Sequence, residues 1–200
     1  MIAIDVKQGG EEWFKLKCGK PGSSSFDKII QTNGKPSKER KKYLYRLAGE
    51  RITGKQEATY SNAIMERGIE LEVDARVLYE IATGLDVQTT GVCYPDDTDA
   101  YLCSPDGLVG EDGGLEIKSP LMATHVSYLV DNKLPTTYFQ QVQGSLLVTG
   151  REWWSFMSYY PGIKPLIVRV ERDEPFIAML KSELDLFVNE LETITTKIGV

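Results

Sequence analysis

The sequence has few of the side chains on which zinc enzymes and many nucleophilic enzymes depend. Its single histidine, His125, has no cysteine or carboxylate at ligand spacing, which argues against a zinc site. No Gly-x-Ser-x-Gly segment is present, so a serine-protease type of nucleophile is poorly supported. The cysteines, Cys18, Cys93 and Cys103, are odd in number and form no Cys-x-x-Cys pair, which predicts reduced thiols in a cytoplasmic protein.

Long apolar runs are also missing. No segment approaches the roughly 18 apolar residues of a membrane span, and Met1–Asp5 lacks the charged and apolar regions of a signal peptide. We therefore expect no membrane association. The length of 200 residues suits one domain, and the 42% of hydrophobic residues suffices for a core.

Positive charge is in deficit over the whole chain, which has a net charge of −6 and a pI near 5.0. Non-specific affinity for nucleic acid comes from neutralising phosphates, so this deficit argues against a general coat protein but does not exclude a nuclease. One stretch is nevertheless rich in cations, and it is either a phosphate-facing surface or a solvated helix face. It contains Lys28, Lys35, Lys38, Arg40, Lys41, Lys42, Arg46 and Arg51.

Two short runs, Ser104–Gly107 and Leu115–Lys118, carry the most informative pattern of the chain. The second run alternates apolar and polar residues, which predicts a strand with Glu116 and Lys118 on one face. Two glycines before it indicate a turn, so Asp106 is expected on or beside the preceding strand of a hairpin.

Two carboxylates and one ammonium would then converge on one side of a small sheet. Mg²⁺ takes oxygen ligands and needs only one or two carboxylates, and a neighbouring lysine can orient a water or stabilise charge on a phosphate. This layout is that of a metal-dependent phosphodiesterase. The alternative is a Pro-Asp-Gly turn followed by an exposed strand on which Glu116 and Lys118 pair with each other.

The rest of the pattern predicts an α/β protein with a central mixed β-sheet flanked by helices. Helical spacing and capping signals predict helices, and period-two or aromatic-rich runs predict strands. The predicted helices cover residues 26–30, 37–54, 62–83, 121–132, 136–148 and 174–197. The predicted strands cover residues 85–94, 100–109, 115–119, 153–160 and 165–171.

Further polar side chains are candidates for the same site. Glu72 shares a helix face with a glycine one turn earlier, where a phosphate could approach closely, but it could also form an ordinary i,i+4 pair with Arg76. Gln141, on another predicted helix, could hold a water or a phosphate oxygen. Lys17 and Ser24 could bind phosphate, or they could be a solvated lysine and a helix-capping residue.

In their order along the chain, these motifs resemble the phage lambda exonuclease (YqaJ-type viral recombinase) family, a branch of the PD-(D/E)xK nucleases. The resemblance runs from about Gln8 to about Glu190. It implies a restriction-endonuclease-like core and one nuclease domain over residues 1–200, with a long C-terminal helix at about 174–197. It rests on Trp13–Lys17, Ser24–Ser25, Gly68–Arg76, Cys103–Leu108, Leu115–Lys118, Gln141–Gln143 and Glu171–Glu174.

The resemblance implies a Mg²⁺-dependent exonuclease that degrades one strand of linear double-stranded DNA from the 5′ end. The 3′ overhang would serve a single-strand annealing protein in phage-type recombination in the bacterial cytoplasm. Two Mg²⁺ ions are implied, and Mn²⁺ could substitute. A homotrimer that encloses DNA is implied as well, with basic residues lining its channel. Competing functions are an endonuclease of the same superfamily and a DNA-end-binding protein with a decayed site.

By similarity, Asp106, Glu116 and the backbone carbonyl of Ile117 bind metal, and Glu72 completes the site or reaches it through water. The resemblance also makes Lys118 the residue that activates or positions the nucleophilic water.

The same resemblance gives Gln141 a part in orienting that water. Lys17, Ser24 and Ser104 match positions that bind phosphate, including the 5′-terminal phosphate. The family commonly has arginine at position 17, so this chain keeps the charge there but lacks the bidentate guanidinium fork.

Overall fold

The computed structural model describes residues 1–56 and 63–199, and for residues 63–66 and 69 it describes the backbone alone. The helix predicted over 62–83 spans Ala63–Thr83, and Asn62 lies outside the described residues. The strands are β1 (Ile2–Ile4), β2 (Val87–Gln88), β3 (Val92–Tyr94), β4 (Gly107–Val109), β5 (Gly113–Lys118), β6 (Trp153–Ser158) and β7 (Leu166–Glu171). The helices are α1 (Glu11–Lys17), α2 (Arg40–Thr53), α3 (Ala63–Thr83), α4 (Met122–Asp131), α5 (Phe139–Thr149) and α6 (Glu174–Ile198), with 3₁₀ turns at Ser23–Lys28 and Thr136–Tyr138.

A five-stranded mixed sheet forms the centre of the fold, with strand order β2-β4-β5-β6-β7. β5 and β6 run parallel, whereas the other neighbouring strands are antiparallel. β1 and β3 form a separate antiparallel pair. The predicted fold class, a central mixed sheet flanked by helices, is therefore confirmed.

The predicted alternation along β5 is also confirmed. Leu115 and Ile117 pack in one apolar cluster with Ala75 and Tyr79 of α3. Glu116 lies between them in sequence and contacts α5 instead, so successive side chains point to opposite faces of the strand. Both faces of β5 are covered, which buries a charged residue as deeply as its apolar neighbours.

The long C-terminal helix α6 lies where the 3.6-residue spacing predicts it. Its first turn is capped by Asp173, whose Oδ1 accepts a hydrogen bond from the N–H of Phe176 at 3.0 Å. Neither this helix nor any other in the described residues is long and apolar enough to span a membrane. Its buried stripe packs into the largest apolar cluster and consists of Phe176, Leu180, Leu184, Phe187 and Leu191.

Two predicted strands are shorter than the sequence suggested. The run 85–94 divides, because β2 joins the large sheet while β3 pairs with β1. The run 100–109 becomes a strand of the large sheet only at Gly107, and Pro105 just before it has no N–H to donate to a ladder. Alternation therefore identified extended backbone but not the sheet to which each segment belongs.

Candidate active site

The β4–β5 hairpin places Asp106 directly beside the end of β5. Gly107 pairs with Leu115 in the antiparallel register, so Asp106 faces the next residues of β5. Its Oδ2 accepts a hydrogen bond from the N–H of Ile117 at 2.6 Å. A side chain at position 107 would collide with Val87, since an added Cβ would lie 2.2 Å from Val87 Cγ1. The glycine therefore permits the close strand approach that positions Asp106.

Glu116 is the centre of the site and is only 2% exposed. Its Oε1 lies 2.5 Å from Lys118 Nζ and accepts a second hydrogen bond, also 2.5 Å long, from Gln141 Nε2. β5 supplies the first pair, and α5 supplies the glutamine. Three sequence-predicted residues are thus brought into direct contact.

Asp106, Glu116 and Lys118 form a buried site that we call the β4–β5 corner, and its charges are not balanced. Burial and the neighbouring Glu116 raise the pKa of Asp106 well above its ordinary range, and the cation of Lys118 opposes this only in part. Burial alone would lower the pKa of Lys118, but the two carboxylates outweigh it and raise that pKa. No ion pair joins Asp106 to a cation anywhere in the described residues, so the corner retains excess negative charge when both carboxylates ionise.

Glu72 lies close to this pair but is engaged by a partner on its own helix. Arg76 Nη2 donates to Glu72 Oε1 at 2.5 Å, and Arg76 Nε donates to the backbone carbonyl of Asp106 at 3.2 Å. Burial raises the pKa of Glu72, Arg76 opposes that shift, and the charge of Glu116 adds to it. The i,i+4 pair therefore forms, yet it lies against the site and not on an open helix face.

The donor atoms fit a divalent cation bound by few protein ligands. Among the side chains that the structure describes, no three histidine, cysteine or acidic residues are grouped to hold a metal ion. The candidate donors at this site are the carboxylates of Asp106 and Glu116 together with main-chain oxygen. Within a strand the N–H and C=O of one residue point to the same edge, so the carbonyl of Ile117 faces the Asp106 side with its N–H. Hard oxygen donors and uncompensated charge are what Mg²⁺ requires, and it needs only one or two carboxylates.

Two of the predicted phosphate-binding residues, Lys17 and Ser104, contact Trp13 of α1. The indole N–H of Trp13 donates to Ser104 Oγ at 2.8 Å, and that hydroxyl donates to the carbonyl of Gly91 at 2.6 Å. Lys17 Nζ lies 3.6 Å from the centre of a Trp13 ring, and burial lowers the pKa of Lys17 to about 8. Lys17 also senses the charges of the two site carboxylates, which places it near them.

Ser24 is in the neighbouring 3₁₀ turn and is exposed. This turn is fixed to the segment before Ser104, since the N–H of Ser23 donates to the carbonyl of Leu102 at 2.9 Å. Ser104 itself uses its hydroxyl as both donor and acceptor within the protein. Its hydroxyl would have to exchange a partner to contact a phosphate, whereas Ser24 is open to solvent.

Two residues at the site were not singled out from the sequence. Gln8 Nε2 donates to the carbonyls of Thr90 and Pro105, both at 2.9 Å, and so holds the segment before Asp106. Tyr138 lies beside Lys118, with its ring centre 5.4 Å from Nζ. Only Tyr138 had a usable signal, because it stands three residues before Gln141 and shares its helix face.

Comparison with known proteins adds to this geometry. The YqaJ-like viral recombinase domain matches residues 12–152, more than half of the chain. The chain belongs to the YqaJ-like viral recombinase family. The matched region contains Asp106, Glu116, Lys118 and Gln141. No curated protein sequence matches the chain.

Solved structures of similar proteins agree with this assignment to the YqaJ-like family. An alkaline exonuclease from Laribacter hongkongensis, LHK-Exo, is 35% identical with a TM-score of 0.87, covering 94% of this chain and 96% of its own. Its complex with dAMP is similar, with a TM-score of 0.86. A phage-related exonuclease from Haemophilus somnus 129PT, 16% identical over 92% of this chain and 98% of its own, shares the fold with a TM-score of 0.71. The predicted PD-(D/E)xK-type fold is confirmed, and these relatives support a nuclease role in phage-type recombination.

Proposed function

We propose that this protein is a Mg²⁺-dependent exonuclease that degrades the 5′-ended strand of linear double-stranded DNA. The resulting 3′ overhang would be used by a single-strand annealing protein in the cytoplasm of a bacterial host. The observation that carries the proposal is the convergence of Asp106, Glu116 and Lys118 at the end of β5, in a chain of an exonuclease-containing family.

In the proposed site, Asp106, Glu116 and the Ile117 carbonyl hold Mg²⁺, with two ions as the family resemblance implies. A divalent cation there would neutralise charge on the phosphate and make water a better nucleophile. Lys118 donates hydrogen bonds to the attacking water or to the scissile phosphate. Gln141 keeps Glu116 oriented through its 2.5 Å hydrogen bond and can direct its second N–H toward that water.

Glu72 would act from the edge of this site, either through a water or by releasing Arg76 to bind it directly. Its half-buried position and its coupling to Glu116 support this assignment. Arg76 in addition fixes the backbone of Asp106, so the salt bridge joins α3 to the carboxylate pair.

Recognition of the 5′ end is proposed for Lys17 and Ser24, with Ser104 as a further contact. A half-buried ammonium beside an indole face offers both charge for a phosphate and a flat surface for a base. The Laribacter relative forms a complex with dAMP, and by analogy a nucleotide would fit the corresponding site here.

A path for the duplex is proposed along the cation-rich stretch of residues 28–51. Its arginines are committed within the protein, since Arg40, Arg46 and Arg51 form ion pairs with Glu190, Glu50 and Glu192 respectively. Its exposed lysines form no ion pair with any described residue and remain available for phosphates. These lysines are Lys35, Lys38, Lys41 and Lys42.

Assembly into a trimeric ring is proposed through α3. Val73, Val77 and Ile81 recur at i, i+4 and i+8, and they are 60%, 50% and 75% exposed. Such an apolar stripe suits contact with another subunit. We expect Val77→Glu to produce monomers in analytical ultracentrifugation. The control Val130→Glu, at an exposed valine of α4, should leave the assembly unaffected. A wild-type protein that sediments only as a monomer would refute the ring.

Digestion of DNA tests the main proposal. Linear duplexes with and without a 5′-phosphate, and covalently closed circles, are incubated with the protein in Mg²⁺ or in EDTA, and again with Lys118→Ala. Mg²⁺-dependent release of mononucleotides from linear DNA alone, absent in the variant, is the expected result. Cleavage of the closed circle would indicate an endonuclease, and no cleavage would leave a DNA-end-binding protein.

A further inference from the structure

Tyr138 enters the site from the start of α5, together with Gln141. The 3₁₀ turn Thr136–Tyr138 leads directly into α5, and the two residues are three positions apart on one helix face. Gln141 contacts the carboxylate of the Glu116–Lys118 pair, and the ring of Tyr138 lies 5.4 Å from the ammonium. One helix start therefore contacts both members of the pair.

The ring of Tyr138 is itself held in place by other aromatic residues. It stacks on Phe156, with ring centres 5.1 Å apart and planes at 28°. Phe156 is fully buried and stands beside Glu116 in the parallel β5–β6 register. Tyr128 of α4 packs edge-on against Tyr138, at 86° and 6.4 Å. The ring thus has a fixed relation to the strand that carries Glu116 and Lys118.

Burial and the adjacent Tyr128 raise the pKa of Tyr138 to about 12. The phenol therefore stays neutral at any pH at which DNA remains double-stranded. What Tyr138 offers to Lys118 is the negative face of a neutral aromatic ring, a favourable partner for an ammonium within about 6 Å.

We propose that Tyr138 is the positioning residue for Lys118, holding its ammonium toward the reacting phosphate through the ring face. The proposal rests on the nuclease function proposed above. A lysine has a long flexible stem and needs more than one contact to hold a single geometry. Glu116 provides one contact, but a carboxylate that also binds a divalent cation attracts an ammonium less strongly. The ring of Tyr138 provides a contact that is independent of that cation.

Three variants separate the ring, its hydroxyl and the surrounding packing. Tyr138→Leu removes the ring face, Tyr138→Phe keeps the ring without the hydroxyl, and Tyr128→Leu removes a ring from the same cluster that makes no contact with Lys118. We expect Tyr138→Leu to lower kcat on linear duplex DNA about tenfold with KM unchanged. Tyr138→Phe should stay within about twofold of the wild type. Tyr128→Leu loosens the packing around the ring without removing the ring, so it should lose less activity than Tyr138→Leu.

A measurement that does not depend on cleavage accompanies the kinetics. NMR of protein carrying 13C-labelled lysine reports the Cε–Hε resonance of Lys118, which is assigned by its loss in Lys118→Arg. The ring current of Tyr138 should displace this resonance in the wild type and in Tyr138→Phe, but not in Tyr138→Leu. Thermal unfolding of the two leucine variants shows whether they are equally folded.

Several outcomes would overturn the assignment. Equal loss of kcat in Tyr138→Phe would show that the hydroxyl acts, and equal loss in Tyr128→Leu would show a general packing effect. An unchanged kcat or an unchanged Lys118 resonance in Tyr138→Leu would show that the ring does not position the Lys118 ammonium. A wild-type protein that digests no DNA would overturn the nuclease proposal itself. The Lys118 resonance, which needs no cleavage, would then still show whether the Tyr138 ring contacts the ammonium.

Discussion

The α2–α6 interface and the β4–β5 corner both bring charged side chains together, but they balance those charges differently. Between the helices, Arg40 lies 2.6 Å from Glu190 and Arg51 lies 2.9 Å from Glu192. Both carboxylates are at least half exposed, so water solvates what the pairing leaves unsatisfied. Each cation there meets a carboxylate at the rim of an apolar core.

At the β4–β5 corner two carboxylates share one ammonium inside the protein. Lys118 pairs with Glu116, whose side chain is 3% exposed, while Asp106 receives the backbone N–H of Ile117. Burying charge without a full complement of partners opposes folding. Charges at the α2–α6 interface are balanced in pairs, whereas the β4–β5 corner carries an electrostatic cost that a bound cation would offset.

The largest expected effect comes from removing the ammonium at the corner. Lys118→Met should lower the rate of DNA digestion about 10³-fold, because it deletes the group that we propose positions the water or stabilises phosphate charge. Steady-state digestion of linear duplex DNA measures this loss. The matched control is Lys181→Met, which deletes an exposed ion pair with Asp185 on α6 and should leave the rate unchanged. Equal activity of the two variants would show that the ammonium at the β4–β5 corner contributes no more to digestion than an exposed ion pair on α6.

A change at the α2–α6 interface should lower the stability of the protein and leave its activity unchanged. Arg40→Met removes a two-pronged contact with Glu190 and a cation over the Phe187 ring, so the free energy of unfolding should fall by about 1–2 kcal/mol. Urea unfolding measures this fall, and digestion of DNA by the folded variant should continue at the wild-type rate. A variant that keeps full stability would show that the interface charges contribute nothing to the fold.

The smallest expected effect concerns Lys17 and pH. Burial lowers its pKa to about 8, so the ammonium loses its proton as pH rises through 8, while the unfolded chain keeps it up to about 10.5. Stability should therefore rise slightly between these values, and the preference for 5′-phosphorylated ends should fall about three- to fivefold between pH 7 and pH 9.

Competition between phosphorylated and unphosphorylated linear duplexes measures that preference. Lys17→Arg is the control, because a guanidinium stays charged throughout and should keep the preference at pH 9. A wild-type preference that is the same at both pH values would contradict a loss of the Lys17 charge in this range.

The sequence was sufficient for features that depend on local spacing. Alternation along β5 placed Glu116 and Lys118 on one face, and the glycine turn placed Asp106 beside them. The 3.6-residue stripe predicted α6 to within a residue at its end. These features lie within one element or in two elements joined by a tight turn. In both cases the short connection along the chain fixes the relative positions of the residues.

Contacts between segments far apart in the chain could not be predicted from the sequence. Arg76 reaches the carbonyl of Asp106 across 30 positions, and Gln8 reaches Pro105 across 97. Nothing in the local pattern indicates that the hydroxyl of Ser104 is occupied by Trp13 and Gly91. These contacts depend on how the sheet, α1 and α3 pack, which single-sequence periodicity does not determine.

Thermal unfolding of the wild type and of Asp106→Asn tests whether the β4–β5 corner holds uncompensated charge for a cation. The raised pKa of Asp106 means that its carboxylate lowers stability at any pH above the ordinary value of 3.8. At pH 8 in EDTA, Asp106→Asn should unfold at a higher temperature than the wild type. In Mg²⁺ the order should reverse, because ligand binding stabilises only the protein that keeps both carboxylates. A wild type that is the more stable protein in EDTA, or whose unfolding temperature does not respond to Mg²⁺, would show that the corner holds no uncompensated charge for a cation.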